Sequence, residues 1–133
     1  MRSADLLFLP MQNLPAGTRS STVPGKTYEY IASGRPILAA IPDGDAHDIL
    51  TAVGTARFAA PADSAAIADA IAEELERWRT GGEPPQPAWD VVARYERQLI
   101  TEELAAVFDA VTALPTTGRS RTSEAAEFAL RAP

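Results

Sequence analysis

A chain of 133 residues with a net charge of −6, 46% apolar residues, one histidine and no cysteine excludes several classes at once. Disulfides, thiolate nucleophiles and cysteine–zinc sites are absent, His47 alone argues against a histidine-rich metal centre or a serine–histidine triad, and the acidic balance is wrong for a nucleic-acid groove, which must neutralise phosphates. The length fits one domain with a modest core; the apolar runs Leu6 to Pro10 and Pro36 to Pro42 are too short to span a bilayer, and Met1-Arg2-Ser3 shows no cleavage-site pattern, so a cytoplasmic location is expected.

In chain order, Ala4 to Pro10 is a continuous apolar run stopped by proline and reads as a buried parallel strand. A loop rich in Pro, Gly, Ser and Thr follows from Met11 to Thr22, longer than most strand-to-helix connections. Thr22 is the expected N-cap of the next helix, with Pro24 near its first position, Tyr28, Ile31 and Ala32 as its apolar stripe and Gly34 as its end. Pro36 to Ile41 is a second buried strand. Asp45 is expected to cap a short helix carrying Ile49, Leu50 and Val53 and ending at Gly54, and Ala56 to Ala60 is a weak third strand. Ser64 is the expected cap of a helix from Ala65 to Arg79, with Ile67, Ile71, Leu75 and Trp78 at helical spacing.

Gly81 to Pro87 reads as a linker. A last helix, from Arg97 to Ala113, carries Ile100, Leu104, Val107, Phe108 and Val111 on one face. From Leu114 the composition predicts a disordered tail. The alternation of strands and helices predicts an α/β fold, a partial Rossmann-like parallel sheet with flanking helices. Residues 1–80 are read as a partial Rossmann-like domain, 81–113 as linker and C-terminal helices, and 114–133 as tail. Three short strands make only half of such a domain.

Open α/β sheets bind ligands outside the carboxyl ends of their strands. The elaborate element at that edge is the Met11–Thr22 loop with the helix it feeds, whose start offers free N–H groups and the positive end of a helix dipole. Gly25 lets backbone approach a ligand, and Arg19 and Lys26 add positive charge. Glu29 lies roughly 7 Å along the axis from the first helical residue at 1.5 Å rise per residue. A diphosphate held at the helix start therefore leaves its ribose near that carboxylate. A P-loop reading of Gly25-Lys26-Thr27 fails, because Ser20 stands where the signature needs glycine and ten residues separate the motif from Leu9. The acidic residues Asp43, Asp45 and Asp48 are better explained by capping and solubility than by a metal.

The run Ser21-Thr-Val-Pro-Gly-Lys-Thr-Tyr-Glu-Tyr-Ile-Ala-Ser-Gly-Arg-Pro-Ile-Leu-Ala, preceded by the strand at Ala4 to Pro10 and followed by Pro61-Ala-Asp-Ser, resembles the donor-site stretch of family 4 glycosyltransferases. The resemblance covers about Ala4 to Thr80, and more loosely Trp89 to Ala113. It implies the C-terminal, donor-binding part of a retaining glycosyltransferase with two Rossmann-like domains (GT-B). By the same resemblance the loop and helix start, here Ser21, Thr22, Pro24, Gly25 and Lys26, frame the donor diphosphate and Glu29 holds the ribose hydroxyls. The family's own diphosphate-binding basic residues lie upstream of this stretch, and Arg19 is an additional cation by its place in the loop alone. Glu29 matches the second member of the family's pair of glutamates spaced by seven; Ser21 stands at the first.

The resemblance names no catalytic residue in this stretch and requires neither metal nor cofactor, the nucleotide-sugar being the substrate. The expected partners are that donor and an acceptor-binding N-terminal domain this chain does not contain. No nucleic acid or membrane span is expected, although peripheral membrane association of the full enzyme, in a bacterial cell-surface polysaccharide setting, fits the family. A non-catalytic nucleotide-binding remnant or interaction module is the alternative, and a flavodoxin- or receiver-like domain is disfavoured by the order of the acidic residues.

Overall fold

Three short strands, β1 (Leu7–Pro10), β2 (Ile37–Ala40) and β3 (Ala56–Ala59), pair in parallel in the order β1-β2-β3. The computed structural model describes residues 4–113; the readings of residues 1–3 and of the tail from Leu114 lie outside them. Five helices accompany the strands: α1 (Gly25–Ser33), α2 (Asp45–Val53), α3 (Ser64–Arg79), α4 (Trp89–Ala93) and α5 (Arg97–Ala113). Among the described residues, those up to Glu96 belong to one compact unit and those of α5 to a second.

Parallel pairing places Leu7, Ile37 and Ala56 side by side, and two residues on Leu9, Ala39 and Phe58. Strand side chains alternate between faces, so these six share one face and Phe8, Leu38 and Arg57 the other. Two successive crossovers of the same right hand must lay α1 and α2 on a single face. They cover the first: Leu7, Leu9, Ile37 and Ala39 are buried with Ile31 of α1 and Ala46, Leu50 and Val53 of α2. Each fully buried Leu or Ile there contributes roughly 1.5–3 kcal/mol relative to exposure.

The segment after Pro87 returns to this layer. The Ala88 N–H donates to the Val53 carbonyl at 2.9 Å, and Val92 of α4 joins the core. The Tyr95 ring lies 5.5 Å from that of Tyr28. Gly34, at φ +67, ends α1 by donating its N–H to the Ile31 carbonyl. A Cβ there would come within 3.0 Å of the Trp89 ring, so glycine serves both the left-handed turn and the close approach.

Within the unit up to Glu96, the opposite face is covered by α3, which packs on β2 and β3. Its one buried residue is Glu74, whose carboxylate accepts from Arg77 (Nε at 3.1 Å, with a second, shorter bond from Nη2) and lies 4.0 Å from Arg57 Nε. Arg77 also donates to the Gly82 carbonyl at 2.7 Å, closing the end of the helix. The stripe expected to pack, Ile71, Leu75 and Trp78, is instead exposed, as is Phe8 on β1. Between Asp5 and Leu6 on one side and these α3 residues on the other runs a cleft of about 320 Å³.

Three caps and a second stripe also differ from expectation. Pro24, not Thr22, precedes α1: at φ −59 and ψ 137 its backbone is extended, so the helix begins at Gly25. Gly44, not Asp45, precedes α2. Asp63, not Ser64, caps α3: its carboxylate accepts the Ala66 N–H at 2.9 Å, an ionised acceptor outcompeting a hydroxyl. In α1 the buried positions are Thr27 and Ile31, one turn apart, while Tyr28 and Ala32 face outward.

The second unit contributes α5, which spans the expected residues and has no buried position. Among the described residues no helix is long and apolar enough to cross a membrane.

Candidate functional site

The carboxyl ends of all three strands open on one edge, and the loop of residues 11–24 lies there. Met11 continues the sheet hydrogen bonding to the Ala40 carbonyl at 2.9 Å. Further on, Gly17 adopts φ +78 in a turn closed by the Thr18 N–H on the Pro15 carbonyl at 3.1 Å. The chain then passes the start of α2 and enters α1 at Pro24.

The three helices after the strands begin differently. The start of α3 is satisfied by Asp63, and α2 carries Asp45 and Asp48 in its first turn. That of α1 has neither an acidic residue in its first turn nor a side-chain cap. Helix geometry leaves the Gly25 and Lys26 N–H groups without intrahelical acceptors, while the Thr27 N–H reaches the Pro24 carbonyl at 2.9 Å. Gly25 and Lys26 are exposed, Pro24 is half-buried, and a Cβ on Gly25 would meet nothing within 4 Å. The two free donors, the dipole and the Lys26 ammonium thus lie together at an accessible helix start suited to an anion.

Glu29 follows on the same helix, exposed and about 6 Å along the axis from Gly25 by helical rise. Ser21 and Thr22 are exposed in the extended approach to Pro24, and the Thr22 N–H donates to Ser20 Oγ at 3.2 Å. The hydroxyl of Thr27 in the first turn is fully buried and has no hydrogen-bond partner.

Arg19 is held elsewhere. Its Nη1 donates to both carboxylate oxygens of Asp43, at 2.8 and 2.9 Å, and its Nη2 to Asp48 at 2.6 Å. The hydrogen bond it donates to Asp48 and the charge of Asp43 push the guanidinium above its ordinary pKa, so it remains cationic. Asp43, His47 and Asp48 offer atoms within 4.8 Å of one another that could hold a metal ion; the cation that two of them already bind is Arg19. His47 stacks on Phe58 with ring centroids 4.0 Å apart, and both rings line a cleft of about 470 Å³ with residues 13–18 of the loop.

Sequence reasoning missed the role of Gly44. Its Cβ position would fall 2.1 Å from the Ser20 carbonyl oxygen. The only local signal was the Pro42-Asp43-Gly44 turn, which does not say what packs against it.

No protein-family description, curated protein or solved structure matches this chain.

Proposed function

We propose that this chain is the donor-binding part of a retaining glycosyltransferase of the two-Rossmann-domain class, holding a nucleoside diphosphate sugar along α1. The observation that carries the reading is the uncapped start of α1 at the carboxyl edge of a parallel sheet, with Lys26 in its first turn and Glu29 one turn on. The diphosphate sits on the Gly25 and Lys26 N–H groups, framed by Ser21, Thr22 and Pro24, with the Lys26 ammonium alongside. The Glu29 carboxylate accepts hydrogen bonds from the ribose diol.

In the transfer the anomeric C–O bond to the diphosphate breaks, and a new bond forms on the same face of the sugar to an acceptor hydroxyl, whose proton passes to the departing diphosphate. Negative charge grows on the departing diphosphate. Preorganised N–H groups, the helix dipole and Lys26 stabilise that charge more in the transition state than in the ground state. This chemistry asks for no metal.

An acceptor-binding domain is the second partner. The unpaired outer edge of β1, the exposed Phe8 beside it and the uncovered stripe of α3 support an extension of the sheet by segments outside this chain. Alone, the chain is expected to bind donor weakly and to transfer no sugar, because the acceptor side of the cleft is missing.

Backbone NMR of the chain titrated with UDP or GDP tests the reading. Shift changes should concentrate between Ser20 and Tyr30. Changes confined to α3 would remove the basis for the proposal, and nucleotide binding without any transfer after the missing domain is supplied would favour a non-catalytic binding module.

A further inference from the structure

The loop that delivers the chain to α1 is not left to find its own path. Midway along it, the Ser20 N–H donates to the Asp43 carbonyl at 2.8 Å, and the Asp45 N–H returns to the Ser20 carbonyl at 2.9 Å, forming a parallel bridge opposite Gly44. Gly44 has φ +149, a region that side-chain-bearing residues rarely adopt, and any Cβ would collide with Ser20 backbone rather than with a yielding side chain. Beside this bridge the planar fork of Arg19 grips Asp43 with two bonds and Asp48 with one. The partners lie 24 and 29 residues away in sequence. Only the short stretch from Ser21 to Val23 separates this anchor from Pro24.

Charge decides what Arg19 can do there. One guanidinium against two carboxylates leaves the cluster at −1, so a diphosphate drawn toward Arg19 would meet net repulsion. Lys26, by contrast, has no acidic neighbour in the first turn of α1.

We infer that Arg19 is a positioning residue of the α1 anion site and not a ligand of the diphosphate: gripped by Asp43 and Asp48 while Ser20 pairs beside Gly44, it fixes the loop so that Ser21, Thr22 and the start of α1 are presented in one arrangement. This rests on the reading of α1 given above. Its consequence is a dependence of anion binding on residues outside the anion site, since a pre-ordered loop avoids the ordering cost otherwise met on binding.

The two roles give opposite signs in one experiment. In the double variant Asp43→Asn with Asp48→Asn, a phosphate-binding Arg19 would be released from its carboxylates, and affinity for UDP and for inorganic pyrophosphate would rise. A positioning Arg19 loses its grip, and both affinities fall, by roughly three- to tenfold. Arg19→Lys should fall with the double variant despite keeping the charge, because an ammonium cannot reproduce the fork on two carboxylates. Amide hydrogen exchange at Ser20 and Asp45, read without ligand, should accelerate in both variants. Unchanged or tighter binding in the double variant, or full affinity in Arg19→Lys, overturns the inference while leaving the α1 reading intact. Failure of the unmodified chain to bind either ligand overturns the α1 reading itself, and with it any role of Arg19 at a ligand site, whatever the exchange data show.

Discussion

The two faces of the sheet are built from similar side chains yet reach different ends. On the face of Leu7, Leu9, Ile37 and Ala39, the helices α1, α2 and α4 close a core in which Leu9, Ile31 and Leu50 are at most 2% exposed. On the face of Phe8, Leu38 and Arg57, Leu38 and Ala40 are buried, but α3 itself has one buried residue, a glutamate, and Phe8 stays 48% and Trp78 59% exposed. The difference is one of supply. The first face receives two crossover helices and a returning segment; the second receives one helix that must span the sheet. Hydrophobic residues at helical spacing mark a face that wants covering, and only the rest of the structure decides whether something covers it.

If the first face carries the stability of the unit, cutting into it should have the largest effect. Leu9→Ala removes a buried side chain from the core beneath α1 and α2 and is expected to cost about 2–5 kcal/mol, read as a lower midpoint in urea unfolding. A loss below 1 kcal/mol would mean that this core is not the main stabilising element. The same face contains a flaw. The buried Thr27 hydroxyl has no partner, so Thr27→Val, which keeps the shape and removes the stranded polar group, should raise stability by about 1 kcal/mol. A decrease in the same assay would show that the hydroxyl does find a partner.

The open face should respond at its helix end rather than along its apolar stripe. Asp63→Ala deletes the single side-chain cap of α3 and is expected to cost about 1 kcal/mol. Trp78→Ser should change stability by no more than about 0.5 kcal/mol, since little packing is lost at an exposed position. It should nevertheless reduce self-association in sedimentation velocity, because an uncovered apolar patch is removed. Substantial destabilisation by Trp78→Ser would show that the patch is already covered within the chain.

Much of the fold was legible because its signals are local. The proline-bounded strands, the glycines after Ser33 and Val53 and the long 11–24 loop each declare themselves within a few residues. The caps differ by one or two positions, and long-range packing decided one of them: Ser20 occupies the space that makes Gly44 the residue before α2. At α3 the contest is local, the Asp63 carboxylate displacing the Ser64 hydroxyl. Lys26 and Glu29 could be placed on one helix by counting alone. The grip of Asp43 and Asp48 on Arg19 could not, since it joins residues 24 and 29 positions apart through a turn whose path no local rule gives. That is why Arg19 reads as a free cation in sequence and as a structural one in space. Glu74 is a parallel case: an acidic residue in an exposed-looking helix is drawn inward because Arg57 and Arg77 converge on it.

The proposed arrangement places a nucleoside diphosphate on α1, with the phosphates at its start and the ribose at Glu29. Calorimetric titration of the chain and of Glu29→Ala with UDP and with inorganic pyrophosphate tests it most directly. Glu29→Ala removes two charge-assisted hydrogen bonds to the diol, each about 1.5–3 kcal/mol, and leaves the Gly25 and Lys26 groups untouched. UDP affinity should therefore fall markedly while pyrophosphate affinity stays near that of the parent chain. Equal losses for the two ligands, or no loss for either, would contradict the placement of the ribose at Glu29.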